Sequence, residues 1–364
     1  GNGVDCETLS EAEVEKAELF ISVTGSDEFN MLSCFLAKRM GAKHTIARIR
    51  NPEYNDKSLD FLGKQLGLTV SVNPEWLAAK ELYNILKLPA AVNIESFSGG
   101  NLEMVELRLK QQSILDGLSL IELRKKYNAK FLICAVQRGD KVIIPSGNFI
   151  IREDDKIYFT ADAKTLGNFL SETKLVKSPF KNIMIIGGGR IGYYLADALS
   201  KKKYAVKLLE DNPSACEELA ELLPRATVVC GNGTQHDVLI EEGIEAMDAF
   251  VALTDIDEEN MIVSMFANKK RVKKSITQIK NDDLYGMLDE LGIDNNVSPK
   301  HVVAGRIISY IRALANAVGS NILTMYQLVN NQVEALEFSA KRQESFYDKP
   351  LRELKIKPNC LVAC

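Results

Sequence analysis

The chain has 364 residues, 46% hydrophobic and 26% charged, enough for two or three ordinary domains and typical of globular rather than disordered or fibrous protein. Its 45 Lys+Arg against 49 Asp+Glu give a formal net charge of -4, so no domain-wide basic excess exists to bind nucleic acid. No apolar run approaches the roughly 20 residues of a membrane-crossing helix; the most apolar stretch, 313–329, is interrupted by Asn316, Ser320, Asn321 and Gln327.

The chain opens on Gly1-Asn2-Gly3, and the triplet returns as Gly231-Asn232-Gly233, 230 residues later. In the same register Thr24, Asp27, Glu28, Asn30 and Met31 match Thr254, Asp257, Glu258, Asn260 and Met261. Further on, Leu66-Gly67-Leu68 matches Leu291-Gly292-Ile293 and Pro74 matches Pro299. Matches that hold register over tens of residues mark a tandem repeat. A large and a small lobe occur twice: 1–92 as a partial first large lobe, 93–178 as a small lobe, 179–317 as a complete large lobe and 318–364 as a partial second small lobe. Residues 180–230 precede the second Gly-Asn-Gly and have no counterpart before the first, so the repeat implies a chain truncated at both ends.

In chain order, Trp76 and Leu77 begin a helix after Pro74, where core packing and a subunit interface are equal readings. The first small lobe alternates over Met104–Leu109, is helical near Leu118–Tyr127 and alternates again over Lys141–Ile144. Pro145-Ser146-Gly147-Asn148 makes a turn, and Lys156–Phe159 closes the set. Next comes Ile183-Met184-Ile185-Ile186, a short apolar run suited to a buried parallel strand, running into Gly187-Gly188-Gly189-Arg190-Ile191-Gly192. Ile191, Leu195 and Leu199 then keep helical spacing, and Ala205–Leu209 is a second strand ending on Glu210.

Each part of that pattern has a mechanical reason. Gly187 permits a tight turn, Gly189 lets backbone approach a pyrophosphate, and Gly192 lets the helix pack closely on the sheet. The helix N-terminus offers unpaired N–H groups to phosphate. Glu210 is placed to accept from ribose hydroxyls and to repel a 2′-phosphate, favouring NAD or an adenine nucleotide over NADP. A strand before the glycines, a helix after them and an acid at the second strand's end make the motif specific.

Thr227–Cys230 and Ala249–Thr254 are further strands, followed by a helix over Asp257–Lys270 and a strand over Ser275–Ile279. The alternation predicts a doubly wound parallel sheet with Gly231, Asn232 and Thr254 at strand carboxyl ends. Asp257 and Glu258 read as acids complementing the helix dipole, and the basic run 269–274 as a solvated helix end. Seven scattered cysteines without a CxxC pair read as reduced thiols in a cytosolic protein, and with only three histidines neither a metal site nor a catalytic group is expected. Of the histidines, His236 reads as a surface position and His301 as structural.

The lobe order, with Arg48-Ile49-Arg50-Asn51-Pro52-Glu53-Tyr54, Asp257-Glu258-Glu259-Asn260, and Arg138-Gly139-Asp140 ahead of Ile144-Pro145-Ser146-Gly147, resembles the TrkA family. These are cytosolic regulators of Trk potassium uptake built from tandem RCK (KTN) domains. The resemblance implies an α/β fold: tandem Rossmann-like doubly wound parallel sheets, each followed by a small α+β lobe. It implies a non-enzymatic regulator that binds NAD(H), or alternatively ATP/ADP, and gates a TrkH/TrkG-like potassium-conducting subunit. Such a regulator works as a homodimer or tetramer ring, cytoplasmic and peripheral to the inner membrane. By position, Gly187, Gly189, Arg190, Ile191, Gly192, Glu210, Gly231, Asn232 and Thr254 line the second site. Gly1, Asn2, Gly3 and Thr24 are remnants of the first, with Arg48 and Arg50 as phosphate partners at a subunit boundary. Asn2 and Asn232 depart from the acid the family carries between those glycines, which alters the hydrogen bonding offered to a nucleotide. The alternative, an NAD-dependent oxidoreductase with a Rossmann domain, would need an acid/base in a small lobe, where none is evident.

Overall fold

The computed structural model describes residues 1–51, 54, 56–87, 91–97, 102–109, 113–127, 131–139, 141–173, 180–288, 291, 293, 295–317, 322–328, 333–338, 349–350, 353–354 and 360–362. Asp140, Pro52 and Glu53 of the quoted motifs lie outside them, as does most of 339–364.

The first large lobe begins with α1 (Cys6–Glu11), capped by Asp5, which accepts from the Thr8 N–H. Then come β1 (Leu19–Ser22), α2 (Asp27–Met40), β2 (His44–Arg48), α3 (Asp56–Leu66) and β3 (Val70–Val72). Ser26 caps α2 by accepting from Phe29, and Gly41 ends it at φ +128°, a backbone state that favours glycine. The three strands form a parallel sheet in the order β1-β2-β3. From β3 the chain enters α4 (Pro74–Lys87), which crosses to the second large lobe.

The small lobe is β4 (Ala91–Phe97), β5 (Leu102–Arg108), α5 (Leu120–Tyr127), β6 (Leu132–Arg138), β7 (Lys141–Ile143), β8 (Lys156–Ala161) and α6 (Ala163–Glu172). Its antiparallel sheet runs β4-β5-β8-β6-β7. Leu107, Leu123, Phe159 and Phe169 fill one side. On the other, Met104, Ala135 and Tyr158 meet Val333 and Ala335 from the second small lobe. Both faces are therefore covered, which explains why β6 carries no polar–apolar alternation and escapes a reading by pattern.

The second large lobe contains β9 (Asn182–Ile186), α7 (Arg190–Lys201), β10 (Ala205–Glu210), α8 (Pro213–Leu222), β11 (Thr227–Cys230), α9 (His236–Glu241), β12 (Ala249–Ala252), α10 (Asp257–Lys269), β13 (Lys274–Gln278), α11 (Tyr285–Leu288), β14 (Asn296–Val297) and α12 (Pro299–Ala317). Its six parallel strands run β11-β10-β9-β12-β13-β14. Ile183 and Ile185 enter one core layer, Met184 and Ile186 the opposite one, the two-residue period of a sheet covered on both faces. The first lobe's sheet repeats the β12-β13-β14 half of this order. Two further strands, β15 (Ile322–Leu328) and β16 (Val333–Phe338), pair antiparallel.

Helix α4 belongs to the second lobe's core. Ala78, Ala79, Leu82, Ile85 and Leu86 pack with Phe180, Leu195, Ala196 and Leu199. The exposed Trp76 indole lies outside that core, with the Lys80 ammonium 5.2 Å from its ring centroid.

Glu106 on β5 pairs with Tyr158 of β8, has Lys156 Nζ at 3.9 Å and is 13% exposed. Burial raises its pKa above the ordinary 4.5. A folded pKa above the unfolded one gives stability that is complete below the unfolded value and lost as pH rises through the folded value. Glu106→Gln is therefore expected to stabilise the protein near pH 8 and to have no such effect near pH 4. Urea denaturation at the two pH values checks this; equal effects at both would contradict it.

Candidate functional site

The second sheet's strand order reverses at β9, so the crevice beyond the ends of β9 and β12 is the place where open α/β sheets bind ligands. Gly187 leaves β9 there with φ +101°, and a Cβ on it would stand 2.6 Å from the Leu253 carbonyl oxygen. A Cβ on Gly192 would lie 2.1 Å from the Gly187 carbonyl oxygen, so α7 can press on the loop only as glycine. Gly189 differs. It is the N-cap of α7, and a Cβ there would meet nothing within 4 Å. Folding does not require this glycine; it keeps open the space before a helix N-terminus, which is what a diphosphate needs. Arg190 is exposed on the first turn of α7, while Ile191 packs against the core.

Glu210 ties the loop to the neighbouring strand. One carboxylate oxygen accepts from the Gly188 N–H at 2.7 Å, and the other from the Asn212 N–H at 3.0 Å. A Cβ on Gly188 would crowd Leu219 Cδ1 at 2.4 Å and Glu210 Oε2 at 2.9 Å. Gly188 is thus as fixed as its neighbours, although the glycine spacing alone treats it as a free position.

The Gly231-Asn232-Gly233 turn follows β11. Asn232 Oδ1 accepts from the Thr234 N–H at 2.8 Å and its hydroxyl at 2.7 Å, so the amide oxygen is engaged in holding the turn. In the first lobe Asn2 Oδ1 accepts from Val4 in the same way, at 3.2 Å. A Cβ on Gly1 would meet Thr8 Cγ2 at 2.2 Å, and one on Gly3 would touch the Phe29 ring at 3.4 Å.

Thr254 is held by Asn260, which is fully buried. The Asn260 oxygen accepts from the Thr254 N–H at 2.8 Å, and its amide donates to the carbonyls of Thr254 and Gln278. Asn30 does the same for Thr24 and Arg48. Asp257, read from sequence as an acid on a helix dipole, does something more specific. It is 6% exposed, and its Oδ2 accepts from the N–H groups of Lys280 at 2.8 Å and Asn281 at 2.7 Å. Asp27 binds Arg50 and Asn51 identically. The Asp-x-x-Asn spacing thus ties each helix start to two strand ends, a role that helix-dipole reasoning does not reveal.

The basic run is likewise less solvated than its composition suggests. Lys270 pairs with Glu245 at 2.7 Å, Lys273 pairs with Asp248 at 2.6 Å, and Lys274 is buried. His236 is exposed and stacks on Phe266 with ring centroids 4.0 Å apart. His301 Nε2 lies 2.9 Å from Asp282.

Arg48 ends β2 and Arg50 follows it two residues on, near where Asn73 reaches α7. The Arg48 guanidinium donates to the Thr24 carbonyl. Arg50 donates to the Gly25 carbonyl at 3.1 Å and lies 3.6 Å from Glu75. Arg48 Nε, Arg50 Nε and Glu75 Oε2 are buried without a hydrogen-bond partner. Asn73 reaches the Tyr194 hydroxyl on α7 at 3.5 Å. Burial raises the Tyr194 pKa, and Arg190 and Glu75 both act on its hydroxyl, so first-lobe groups stand beside the first turns of the glycine-loop helix.

Among the described residues no cluster of His, Cys, Asp or Glu could hold a metal ion, and no helix is long and apolar enough to cross a membrane. The TrkA-N domain matches residues 1–74 and 183–299, and the TrkA-C domain matches 104–174. The Trk system potassium uptake protein TrkA homolog 1 of Methanosarcina mazei is 32% identical over all of this chain and 80% of its own length. The TrkA of Halomonas elongata is 30% identical over 90% of this chain and 71% of its own. Among solved structures, the GsuK RCK domain superposes with TM-score 0.65 at 18% identity, over 90% of this chain and 69% of that one. The GsuK channel bound to NAD gives 0.65 at 19% identity, over 90% and 58%.

The three glycines should separate on substitution. Gly187→Ala and Gly192→Ala should each cost about 2–3 kcal/mol or more, as forced overpacking against backbone, whereas Gly189→Ala should change stability by less than about 0.5 kcal/mol. Chemical denaturation followed by circular dichroism reads all three. Equal losses would mean that Gly189 is also required for packing.

Proposed function

The chain belongs to the TrkA family, and on that premise we propose that it is a nucleotide-binding regulatory subunit that gates a membrane potassium-conducting partner. The observation that carries the reading is the open space at Gly189, before the α7 N-terminus, next to the Gly188 N–H that Glu210 holds. In this reading the backbone of Gly187, Gly189, Arg190, Ile191 and Gly192 holds a diphosphate, and Glu210 accepts from the adenosine ribose. Gly231, Asn232 and Thr254 border the base. Gly1, Asn2, Gly3 and Thr24 occupy the corresponding strand ends of the first lobe. Arg48 and Arg50, with buried donors unmatched, are the cationic groups nearest that edge and suit a phosphate.

NAD(H) and ATP/ADP both fit this chemistry, and the nucleotide acts as an effector, not a reactant. The relatives' name as potassium uptake proteins and the NAD-bound GsuK channel support an ion-transport role over the oxidoreductase alternative. The protein would work as a homodimer or a tetramer ring on the cytoplasmic face of the inner membrane, against a TrkH/TrkG-like subunit. An effector shifts such a ring only through unequal affinity for two conformations, typically about 1–3 kcal/mol of coupling.

Gly189→Val should abolish NADH and ATP binding while the fold survives, because the added side chain enters space free of protein. Glu210→Gln should weaken binding by roughly tenfold, the scale of one charged hydrogen bond. NADPH should bind far more weakly than NADH, since its 2′-phosphate would face a carboxylate. Calorimetric titration of the full chain tests all three. Equal affinity for NADH and NADPH would sink the Glu210 assignment. Potassium flux through the reconstituted partner, if fully nucleotide-responsive with Gly189→Val, would move the switch to the first lobe.

A further inference from the structure

Two cysteines converge on the main chain of Glu210. Cys216 on α8 donates its thiol to the Glu210 carbonyl at 3.2 Å. Cys230, the last residue of β11, lies opposite Glu210 in the parallel ladder, and the Gly231 N–H that follows donates to the same carbonyl at 2.8 Å. Both cysteines are thus placed around one backbone carbonyl, and burial, with Cys230 as a neighbour, holds the Cys216 pKa up. Cys216 is buried and Cys230 exposed, so one thiol meets solvent and the other stands behind it. A buried cysteine alone behaves as a small apolar side chain; an exposed cysteine paired across the ladder from the residue whose carbonyl the buried one binds makes a different object.

We propose that Cys216 and Cys230 form an oxidisable dithiol, a modification site for small-molecule disulfides whose closure shifts the Glu210 end of β10. The Cys230 thiolate attacks one sulfur of an external disulfide such as oxidised glutathione, forming a mixed disulfide and releasing one glutathione thiolate. Cys216 then loses its proton to solvent and attacks the Cys230 sulfur, expelling the second glutathione. In balance, two protein thiols and one external disulfide become one protein disulfide and two external thiols. Burial, then the neighbouring Cys230, push the Cys216 thiol up to about 12, which makes the second step the slow one. A sulfur–sulfur bond of about 2.05 Å requires the two side chains to close on each other and removes the proton that Cys216 gives to the Glu210 carbonyl. Because the Glu210 side chain holds Gly188 and Asn212, the strain reaches the glycine loop.

The expected effect on nucleotide affinity rests on the reading under Proposed function; formation of the bond and the loosening of the loop do not. The full chain is incubated with oxidised glutathione and mapped without reduction, with the exposed Cys6 and Cys360 as internal controls for thiol reactivity. A Cys216–Cys230 peptide pair lacking two hydrogens is expected, absent in Cys230→Ser. Cys216→Ser, whose hydroxyl can still donate to the Glu210 carbonyl, should leave Cys230 as a lasting mixed disulfide. Amide exchange at Gly188 and Asn212, measured without nucleotide, should quicken on oxidation and recover with dithiothreitol. NADH affinity should fall about tenfold, within the usual range of coupling, in wild type and not in Cys230→Ser. A stable mixed disulfide on Cys230 in wild type, or the Cys216–Cys230 bond with unchanged exchange, would overturn the proposal. Bond and quickened exchange in a chain that binds no nucleotide when reduced would uphold the dithiol and overturn the nucleotide reading instead.

Discussion

A buried side-chain amide at each strand-end crevice sets the geometry on which the rest depends. Asn260 binds both the N–H and the carbonyl of Thr254, just past the end of β12, and donates to the Gln278 carbonyl at the end of the adjacent β13. Asn30 makes the same bridge in the first lobe. Buried main-chain groups at the edge of a ladder have no sheet partner and would be costly unpaired. One amide supplies both donor and acceptor functions, and the neighbouring aspartate takes two more N–H groups. The loops beyond are therefore anchored by these buried side chains.

On that base the glycine loop separates two demands that its motif runs together. Gly187 and Gly192 are dictated by contact with protein backbone, and Gly189 by space in front of the helix. Glu210 joins the two demands, since its carboxylate closes the loop with two bonds and still has acceptor capacity left. Anything that moves the end of β10 is felt at the helix N-terminus.

Much of this was legible in the residues. The internal repeat located both strand-end turns, and the strand–glycine–helix–strand–acid order located the second crevice. The roles of Asn260 and Asp257 were not legible, because a polar residue in a first helical turn looks the same whether it faces water or two strand ends. Gly188 was hidden by a motif that counts only three glycines, and β6 by burial on both faces. The crossing of α4 was hidden for a different reason. Its apolar positions announce a buried face but not which lobe covers it, and the answer depends on chain path.

That crossing bears on how a doubled chain can be divided. Ala78, Ala79, Leu82, Ile85 and Leu86 share a core with Phe180, Leu195, Ala196 and Leu199, all residues after 179. A first half expressed by itself would carry this apolar stripe into water, and the second half would lose one wall of its core. At roughly 25 cal/mol per Å² of apolar surface, the burial of these side chains together is of the same order as a typical domain's margin of stability. The two copies, though each retains the internal logic of a self-standing unit, thereby share one core layer, so a division of the gene between them is best tolerated when α4 travels with the lobe it covers.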